Sequence, residues 1–398
     1  MSEPAVVLFT RDLRIHDNPV LAAAAEAGPV VPLFVQDPHF DGVSTHRRRF
    51  LDECLADLDS SLSRLGSRLT VRSGDVAAEV MRVVHECGAT QVHVAADHSA
   101  YARAREQRLH IVLGSARVGL TLHDDVHHAV EPGRVTPADR DHFAVFTPYA
   151  RRWDAAERRA IAPAPTRLRT PPLASLGVAR PAGHALLRGG ESAARERARA
   201  WFDAGVDDYA ERRDVLADDG TSRLSPYLHF GCISARELES RAGTSAGARA
   251  FVRQLTWRDF HHQVLAARPD AAHADYRPGR RTWSEDPGLL EAWKAGETGV
   301  AVVDAGMRQL AAQGWMHNRA RMITASFLTK SHAVDWRHGA AHFAAHLLDA
   351  DVANNALNWQ WIAGTGTDTR PNRVLNPQRQ ARRFDQDGRY RDRWLSPG

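Results

Sequence analysis

The amino-acid sequence predicts an α/β N-terminal domain built on a doubly wound parallel sheet, followed by a large all-helical domain. Three observations support this fold class. Apolar runs alternate with helical periodicity over residues 1–125, proline accumulates and the periodicity weakens at 126–195, and helical periodicity dominates at 196–398. We therefore expect two domains joined by a linker, with boundaries at these positions.

Five short runs rich in Val, Leu and Phe predict the strands of the N-terminal domain. They are AVVLFT (5–10), VVPLFV (30–35), RLTVRS (68–73), TQVHVAA (90–96) and VGLTLHD (118–124). Between them, 47–66 and 75–88 place apolar residues at i, i+3 and i+4, which predicts helices. This alternation indicates a Rossmann-like parallel sheet. A dinucleotide fingerprint is absent, since RDLRIHDNP follows the first strand and contains no G-x-G-x-x-G.

The composition is that of an ordinary globular protein of 398 residues, 43% hydrophobic and 25% charged. No apolar run reaches the length of about 18 residues that a membrane-spanning helix needs. The start of the chain lacks the features of a secretory signal, so we expect a cytoplasmic protein without a membrane partner. Three scattered cysteines and the histidine pairs at 127–128 and 261–262 follow no metal-ligand spacing, so we expect no metal.

The positive charge comes almost entirely from arginine. The net charge is +4, and lysine occurs only at Lys294 and Lys330. Arginine binds phosphate in a bidentate manner, but a genomic base composition that favours Arg codons is the favoured explanation of the bias itself. Eight of the ten tryptophans lie between Trp257 and Trp394, among arginine-rich polar motifs. Core packing explains some of them, and the combination also suggests a large aromatic cofactor or a nucleobase.

The segment TSRLSPYLHFG (221–231) places hydroxyl groups and a guanidinium at a predicted helix start, with Ser or Thr as the N-cap. Free backbone N–H groups at such a position favour a phosphate, and a simple cap is the alternative. The segment RQLTWRDFHHQ (253–263) suits base stacking with phosphate contact, the alternative being a buried Trp beside an exposed Arg.

Two later segments carry polar residues where an apolar helix does not need them. In GWMHNRARMITASFL (314–328), the run HNR implies a polar partner beside the helix. In LLDADVANNALNWQW (347–361), two aspartates precede adjacent asparagines and two tryptophans. The carboxylates lack a histidine at metal spacing, so we expect them to bind sugar hydroxyls or to neutralise Arg321.

Five blocks, in order, resemble motifs of the photolyase/cryptochrome family. They are LFTRDLRIHDNPVLAAA (8–24), TSRLSPYLHFG (221–231), LTWRDFHHQ (255–263), GWMHNRARMITASFL (314–328) and NWQWIAGTGTD (358–368). The resemblance covers nearly the whole chain and is greatest to class I enzymes that repair cyclobutane pyrimidine dimers. It implies an antenna-chromophore domain, a linker and a helical FAD- and DNA-binding domain.

The resemblance also implies roles for individual residues. Positions that match contacts to FAD are Tyr209, Thr221, Ser222, Arg223, Leu224, Ser225, Arg321, Asp349 and Asp351. Asn355 matches the residue that faces the flavin N5 atom. Trp359, Trp336 and Trp283 match an electron-transfer chain that reduces FAD from the surface inward. An asparagine and a tryptophan on one helix are thus both expected to touch the flavin.

The implied function is light-driven repair of pyrimidine dimers in UV-damaged DNA, by electron transfer from photoexcited FADH⁻ to a flipped-out lesion. Positions that match contacts to the lesion or its phosphates are Arg213, Gln254, Trp257, Arg258, His261, Asn318, Arg319 and Met322. The stretch 370–393 carries eight arginines and is expected to grip the DNA backbone. We expect a monomer. The alternative is a blue-light-sensing cryptochrome with little repair activity.

Two features depart from the family pattern. Gln254 stands where dimer-repair enzymes commonly place a glutamate. Glutamine can still donate and accept hydrogen bonds to a thymine edge, but it has no acidic proton with which to stabilise a radical anion. Slower repair or a shifted lesion preference is expected. The region 96–107 lacks the Asn-Glu pair of folate-binding relatives. The resemblance therefore favours 8-hydroxy-5-deazaflavin over methenyltetrahydrofolate as a second, antenna chromophore, with an empty site as the remaining alternative.

Overall fold

The computed structural model describes residues 3–40, 42–181, 186–218, 220–279 and 282–396. The chain forms two compact units. Unit 1 comprises Met1–Arg134, Ala156–Ala200 and Leu224–Arg241, and unit 2 comprises Val135–Ala155, Trp201–Arg223 and Ala242–Gly398. The expected linker, 126–195, contributes to both units, because the chain passes from one unit to the other more than once. The expected helical domain likewise gives its segment 224–241 to unit 1.

The first 241 residues contain five strands and nine α-helices among the described positions. The strands are β1 (Ala5–Phe9), β2 (Val30–Gln36), β3 (Thr70–Ser73), β4 (Gln91–Ala95) and β5 (Gly119–His123). The helices are α1 (Pro19–Ala27), α2 (Thr45–Arg64), α3 (Val76–Cys87), α4 (Ala100–Ser115), α5 (Phe146–Ala155), α6 (Glu191–Ala204), α7 (Tyr209–Arg212), α8 (Ser225–His229) and α9 (Ala235–Arg241). Helices α5 and α7 belong to unit 2, and α6 begins in unit 1.

The five strands of unit 1 form one parallel sheet in the order β3-β2-β1-β4-β5. In its centre Val6 pairs with Val31 of β2 on one side and with Val92 of β4 on the other. All three side chains are fully buried. This confirms the predicted doubly wound sheet, since the apolar runs that lack alternation are those that a parallel sheet buries on both faces.

Helix α3 shows why the predicted helices form. Asp75 caps its N-terminus by accepting a hydrogen bond from the backbone of Ala78, and Gly88 ends it in a left-handed conformation with φ 67°. Its apolar stripe, from Val76 to Val84, packs with the sheet into one core. The sequence-based helices at 47–66 and 75–88 are thus confirmed as α2 and α3.

Among the described residues, unit 2 continues as helices only. They are α10 (Ala246–Ala267), α11 (Pro287–Ala295), α12 (Ala301–Gln313), α13 (Asn318–Ser326), α14 (Trp336–His346), α15 (Val352–Ala363), α16 (Pro377–Phe384) and α17 (Arg389–Leu395). A π-helical turn, Phe327–Ser331, follows α13 directly. The core of this unit is aromatic and includes Trp293, Trp336, Phe343 and Trp359. In the described part of the chain, no helix combines the length and apolarity needed to cross a membrane.

Candidate functional site

Helix α13 is joined to the turn before α15 by a bidentate ion pair. The guanidinium of Arg321 donates to both carboxylate oxygens of Asp349, over 3.0 and 2.9 Å. Its Nε donates to the carbonyl oxygen of Met316 at 2.8 Å, which fixes the plane of the group. Such a planar, charge-assisted pair sets the position of both side chains. The structure therefore brings together Arg321 and Asp349, as the sequence predicted.

Asp351 forms the N-cap of α15 and connects this helix to α10. Its Oδ1 accepts hydrogen bonds from the backbone N–H and the side-chain Nδ2 of Asn354, at 2.9 and 2.8 Å. Nε2 of His262 lies 3.1 Å from the same oxygen. The amide oxygen of Asn354 in turn faces Nδ1 of His261 at 2.9 Å. Because Nδ2 of Asn354 is a donor here, we assign its Oδ1 as the acceptor of the His261 N–H.

Burial lowers the pKa of His261 to about 4, although the hydrogen bond to Asn354 and the charge of Asp351 act in the opposite direction. His261 is therefore a neutral, buried linker between α10 and α15 at neutral pH. The sequence predicted a DNA contact for this residue. The structure places it inside the helical unit, where direct contact with a DNA phosphate is not favoured.

Asn355 connects α15 to α14. Its Nδ2 donates to the carbonyl oxygen of Ala340 at 2.9 Å, and the residue is half-buried. A side-chain amide has a donor end and an acceptor end. Once the donor is committed to Ala340, the acceptor Oδ1 is the end that remains for an N–H group of a ligand.

One helical turn after Asn355, the indole of Trp359 lies in the aromatic core. Its ring packs edge-to-face on Phe343 at 5.0 Å and on Trp293 at 5.9 Å. Gly339 of α14 makes room for it, because a Cβ at that glycine would lie 2.2 Å from the indole. Trp359 is therefore held in one orientation by contacts on α11 and α14.

The other two tryptophans of the expected electron-transfer chain lie in the same aromatic core. Trp336 is fully buried, its Nε1 donates to Asp275 at 2.8 Å, and the guanidinium of Arg337 lies 4.9 Å from its ring. Trp283 is half-buried and packs against the edge of this core. Of the three tryptophans, Trp359 and Trp336 are thus buried, and Trp283 is partly exposed to solvent.

Sequence reasoning did not single out Trp293, which touches Trp359. Its indole N–H donates to the carbonyl oxygen of Thr324 at 3.0 Å, and the side chain is fully buried. The surrounding sequence LLEAWKAG is an ordinary amphipathic helix, so no local signal distinguishes it. Only the packing of α11 beside α15 reveals the contact.

The expected phosphate-binding run is divided between the two units. In unit 2, Arg223 has a left-handed backbone with φ 50°, and its guanidinium lies 4.5 Å from the Trp315 ring, which is a cation–π contact. Thr221 and Ser222 precede it and are half-buried. Leu224 and Ser225 belong to unit 1. There the N-cap of α8 is Leu224 and not a Ser or Thr, and it makes no side-chain cap bond, so the expected cap was wrong.

Tyr209 begins α7 and packs edge-to-face on Trp201 at 5.4 Å and Phe251 at 6.2 Å. Burial raises the pKa of its hydroxyl to about 12, so the phenol is neutral and available as a donor at neutral pH. Arg213 follows at the end of this helix, with its guanidinium 5.9 Å from the Tyr209 ring. Both residues lie in unit 2, in the segment that leads to Arg223.

Trp257, the expected stacking platform for a base, has one ring face covered. Its indole stacks on Phe146 of α5 with 3.6 Å between ring centroids and 3° between planes. The guanidinium of Arg253 lies 4.6 Å from the Phe146 ring. Gln254 is half-buried, and its Nε2 lies 3.5 Å from the carbonyl oxygen of Ala250. A nucleobase therefore has only the other face of Trp257 on which to stack.

Arg258 is buried, which disfavours its expected contact with DNA phosphates. Its guanidinium lies 3.4 Å from the carboxylate of Asp259, which also accepts the indole N–H of Trp153 at 2.9 Å. Arg258 directly follows Trp257 in α10, so two adjacent residues of this helix carry a half-buried indole and a buried ion pair. An arginine in such a position contributes to the fold or to a site inside the unit.

Asn318, Arg319 and Met322 lie on one part of α13. The exposed Asn318 places its Nδ2 3.8 Å from the sulfur of Met322. Arg319 pairs with Asp214 at 2.8 Å, and its guanidinium lies 4.4 Å from the Phe384 ring. Asn318 and Met322 are thus neighbours on this helix, and Asp214 balances the charge of Arg319.

Most arginines of the stretch 370–393 lie on helices α16 and α17. Exposed members are Arg370, Arg373, Arg379, Arg382, Arg383, Arg389 and Arg393. Arg391 is less exposed and pairs with the buried carboxylate of Asp385 at 2.8 Å, and the exposed Arg389 pairs with Asp387 at 2.9 Å. The exposed guanidinium groups give this part of unit 2 a positive surface, which suits an anionic partner.

Comparison with known proteins agrees with these observations. Residues 5–170 match the family model described as DNA photolyase, and residues 251–397 match that described as FAD binding domain of DNA photolyase. A deoxyribodipyrimidine photo-lyase of Streptomyces griseus is 54% identical, with 98% of this chain and 89% of the relative covered.

Solved structures of photolyases share the fold. A bacterial class III photolyase from Agrobacterium tumefaciens is 32% identical with a TM-score of 0.93, covering 99% of this chain and 87% of that one. An archaeal photolyase from Sulfolobus tokodaii, described with two FAD molecules, is 30% identical with a TM-score of 0.87, covering 99% and 90%. On the evidence of its fold, its site and these similarities, the chain belongs to the DNA photolyase family.

Proposed function

We propose that this protein repairs cyclobutane pyrimidine dimers in UV-damaged DNA with the energy of absorbed light. The observation that carries the proposal is the arrangement on α15. There Asn355 presents an amide acceptor, and the buried Trp359 follows one turn later. The identity of 54% to a deoxyribodipyrimidine photo-lyase supports the same activity.

The residues of unit 2 fit a folded FAD. Arg321 and Asp349 form a rigid, charged clamp before α15, while Asn355 offers Oδ1 to the N–H that reduced flavin carries at N5. Tyr209 and the hydroxyls of Thr221 and Ser222 supply donors for phosphates. Bound FAD in its reduced form supplies the electron that splits the cyclobutane ring.

The protein's own part is to position, to shield and to deliver electrons. With FAD bound, Trp359 would relay electrons to it, drawing them from Trp336 and, further out, from the half-buried Trp283. Trp257 stacks on the flipped-out dimer with its uncovered face. Asn318 and Met322 border the same lesion pocket, and the exposed arginines of α16 hold the DNA backbone without reading sequence.

The test is the loss of dimers from an oligonucleotide that contains a single cyclobutane dimer. Chemically reduced protein is incubated with it under blue light and, as a control, in the dark. Light-dependent return of the intact pyrimidines supports repair. Absence of repair by protein that binds and photoreduces FAD would assign it to the blue-light sensors instead, with Gln254 as the first residue to exchange for glutamate.

We further propose that a monomer acts in the cytoplasm and carries 8-hydroxy-5-deazaflavin as its antenna. The support for the antenna is the absence of the Asn-Glu pair in 96–107. The Sulfolobus tokodaii photolyase with two FAD molecules makes a second FAD the main alternative. Chromophores released from the purified protein and separated by chromatography distinguish a deazaflavin, a folate and a flavin ratio of two per chain. Light scattering on the same sample gives the oligomeric state.

A further inference from the structure

Two loops of unit 1 bring three metal-ligand side chains together, outside the helical site. His98 follows strand β4, and His128 and Glu131 follow strand β5. The two strands are parallel neighbours, paired from Gln91–Gly119 to Ala95–His123. Their carboxyl ends therefore meet at one edge of the sheet, which is the edge where α/β proteins bind ligands.

The ligand atoms of the three residues all lie within 4.8 Å of one another. Nε2 of His98 is 2.5 Å from one carboxylate oxygen of Glu131, and Nδ1 of His128 is 3.1 Å from the other. The backbone N–H of Asp125 donates to Glu131 at 2.9 Å and so holds the carboxylate in place. The centroids of the two imidazole rings lie 5.7 Å apart.

The burial of its side chains distinguishes this cluster from charged surface residues that are neighbours by chance. The side chains of His128 and Glu131 are 1% and 10% exposed, and that of His98 is 17% exposed. The nearby Asp97 is paired with Arg11 at 2.9 Å, so these two charges balance each other. Glu131 remains as the anion that both histidines face.

We propose that His98, His128 and Glu131 bind one zinc ion, which joins the loop after β4 to the loop after β5. Two imidazole nitrogens and one carboxylate oxygen form a donor set typical of zinc, with the fourth position left for water on the partly exposed side of His98. Hard cations such as Mg²⁺ and Ca²⁺ prefer oxygen ligands and are disfavoured here. A metal binds the ring nitrogen that carries no proton, so bonds to zinc would replace the hydrogen bonds between these histidines and Glu131.

Hydrogen bonds hold both carboxylate oxygens of Glu131 in place. One oxygen is in contact with His98, and the other with His128 and with the backbone N–H of Asp125. The Asp125 N–H holds the ligand oxygen as outer partners do in zinc sites.

The experiment is a titration of the full chain, stripped of metal with a chelator, with Zn²⁺ in competition with a chromophoric indicator. We expect one equivalent to bind and the thermal midpoint to rise. Glu131→Gln and His128→Gln should each weaken binding roughly tenfold or more, since each removes a ligand. His85→Gln, which changes an exposed histidine of α3 in the same unit, should bind zinc like the unchanged protein.

A second readout on the unchanged protein keeps the test decisive if a variant fails to fold. Co²⁺ in a four-coordinate site of this kind should give visible absorption bands that one equivalent of Zn²⁺ abolishes. Absence of both stoichiometric Zn²⁺ uptake and these bands would overturn the proposal. Equal zinc affinity of the folded Glu131→Gln variant would overturn it as well, because the cluster would then be a hydrogen-bonded network only.

Discussion

The indole of Trp359 packs so closely on Gly339 that a residue with a Cβ atom does not fit at position 339 unless its neighbours move. A Cβ at position 339 would lie 2.2, 2.5 and 2.8 Å from three atoms of the Trp359 indole. Those atoms belong to the rigid ring itself, so the neighbour has no flexible end that can move aside. The glycine on α14 thereby sets the position of the tryptophan on α15, which is the first member of the proposed electron-transfer chain.

Gly339→Ala is expected to destabilise the protein by ~1–3 kcal/mol, through overpacking against Trp359. It should also slow photoreduction of bound FAD, because the indole is displaced. Gly114→Ala is the matched control, since Gly114 lies in α4 with nothing within 4 Å of an added Cβ. That change should stabilise by a few tenths to about 1 kcal/mol through helix propensity. Urea unfolding measures the change in the free energy of unfolding for each variant. Changes of the same sign in the two variants would contradict the packing argument.

Asn355→Asp should prevent accumulation of the anionic reduced flavin. The new carboxylate loses the Nδ2 donor and directs an acceptor at the carbonyl oxygen of Ala340, at a cost of about 1–3 kcal/mol. It also places negative charge beside the cofactor. Asn358→Asp is the control. Asn358 is exposed, and its Nδ2 donates to the carbonyl oxygen of Asn354, one turn earlier in the same helix. Absorption spectra during illumination report the redox state, and normal accumulation of reduced flavin in Asn355→Asp would remove that residue from the site.

Trp359→Phe should abolish photoreduction while leaving dimer repair by chemically reduced protein intact. The substitution keeps an aromatic ring in the core but removes the indole that is readily oxidised. Trp394→Phe changes a half-buried tryptophan at the edge of the same core and should leave photoreduction unchanged. Transient absorption after a blue pulse gives the rates. A normal rate in Trp359→Phe would exclude this electron path and direct attention to Trp293.

Asp349→Asn should weaken retention of FAD and destabilise the protein by roughly 1–3 kcal/mol, since it leaves the Arg321 charge without its bidentate partner. Asp214→Asn breaks the pair with Arg319. Because the Asp214 carboxylate is 32% exposed, this change should cost less than about 1 kcal/mol. FAD loss on gel filtration and thermal midpoints compare the two. A greater loss of FAD in Asp214→Asn would show that the clamp has been misidentified.

Stability should fall in acid because His261 is neutral and buried. Its pKa is about 4 in the folded protein and near 6.5 when unfolded, so the unfolded chain binds more protons between these values. The free energy of unfolding should therefore fall as the pH drops below about 6.5, by about 3 kcal/mol for this residue once pH 4 is reached.

Urea unfolding at several pH values measures this loss. His261→Gln keeps a group that can hydrogen-bond to Asn354 but does not titrate, so its loss between these pH values should be smaller. The control is the exposed His85→Gln, which should follow the unchanged protein. An identical pH dependence for His261→Gln and His85→Gln would show that His261 does not bind the protons in question.

Local pattern determined the elements of this protein. The five apolar runs appear as β1 to β5 within a residue or two, and Asp75 and Gly88 begin and end α3 as capping chemistry requires. The fold class followed, because strand–helix alternation leaves a parallel sheet as the stable solution. The order of motifs along the chain indicated the family, and the resemblance to that family singled out Asn355 and Trp359.

Tertiary structure decided which of those side chains are available for chemistry. Arg258 and His261 are buried by the packing of the helical unit. The stacking of Phe146 on Trp257 and the pairing of Asp214 with Arg319 join residues far apart in sequence. The same holds for His98, His128 and Glu131, which only the pairing of β4 with β5 brings together. Helical and strand periodicity report the face on which a residue lies. They do not report the partner packed against that face, and the partner determines burial, charge and hydrogen bonding.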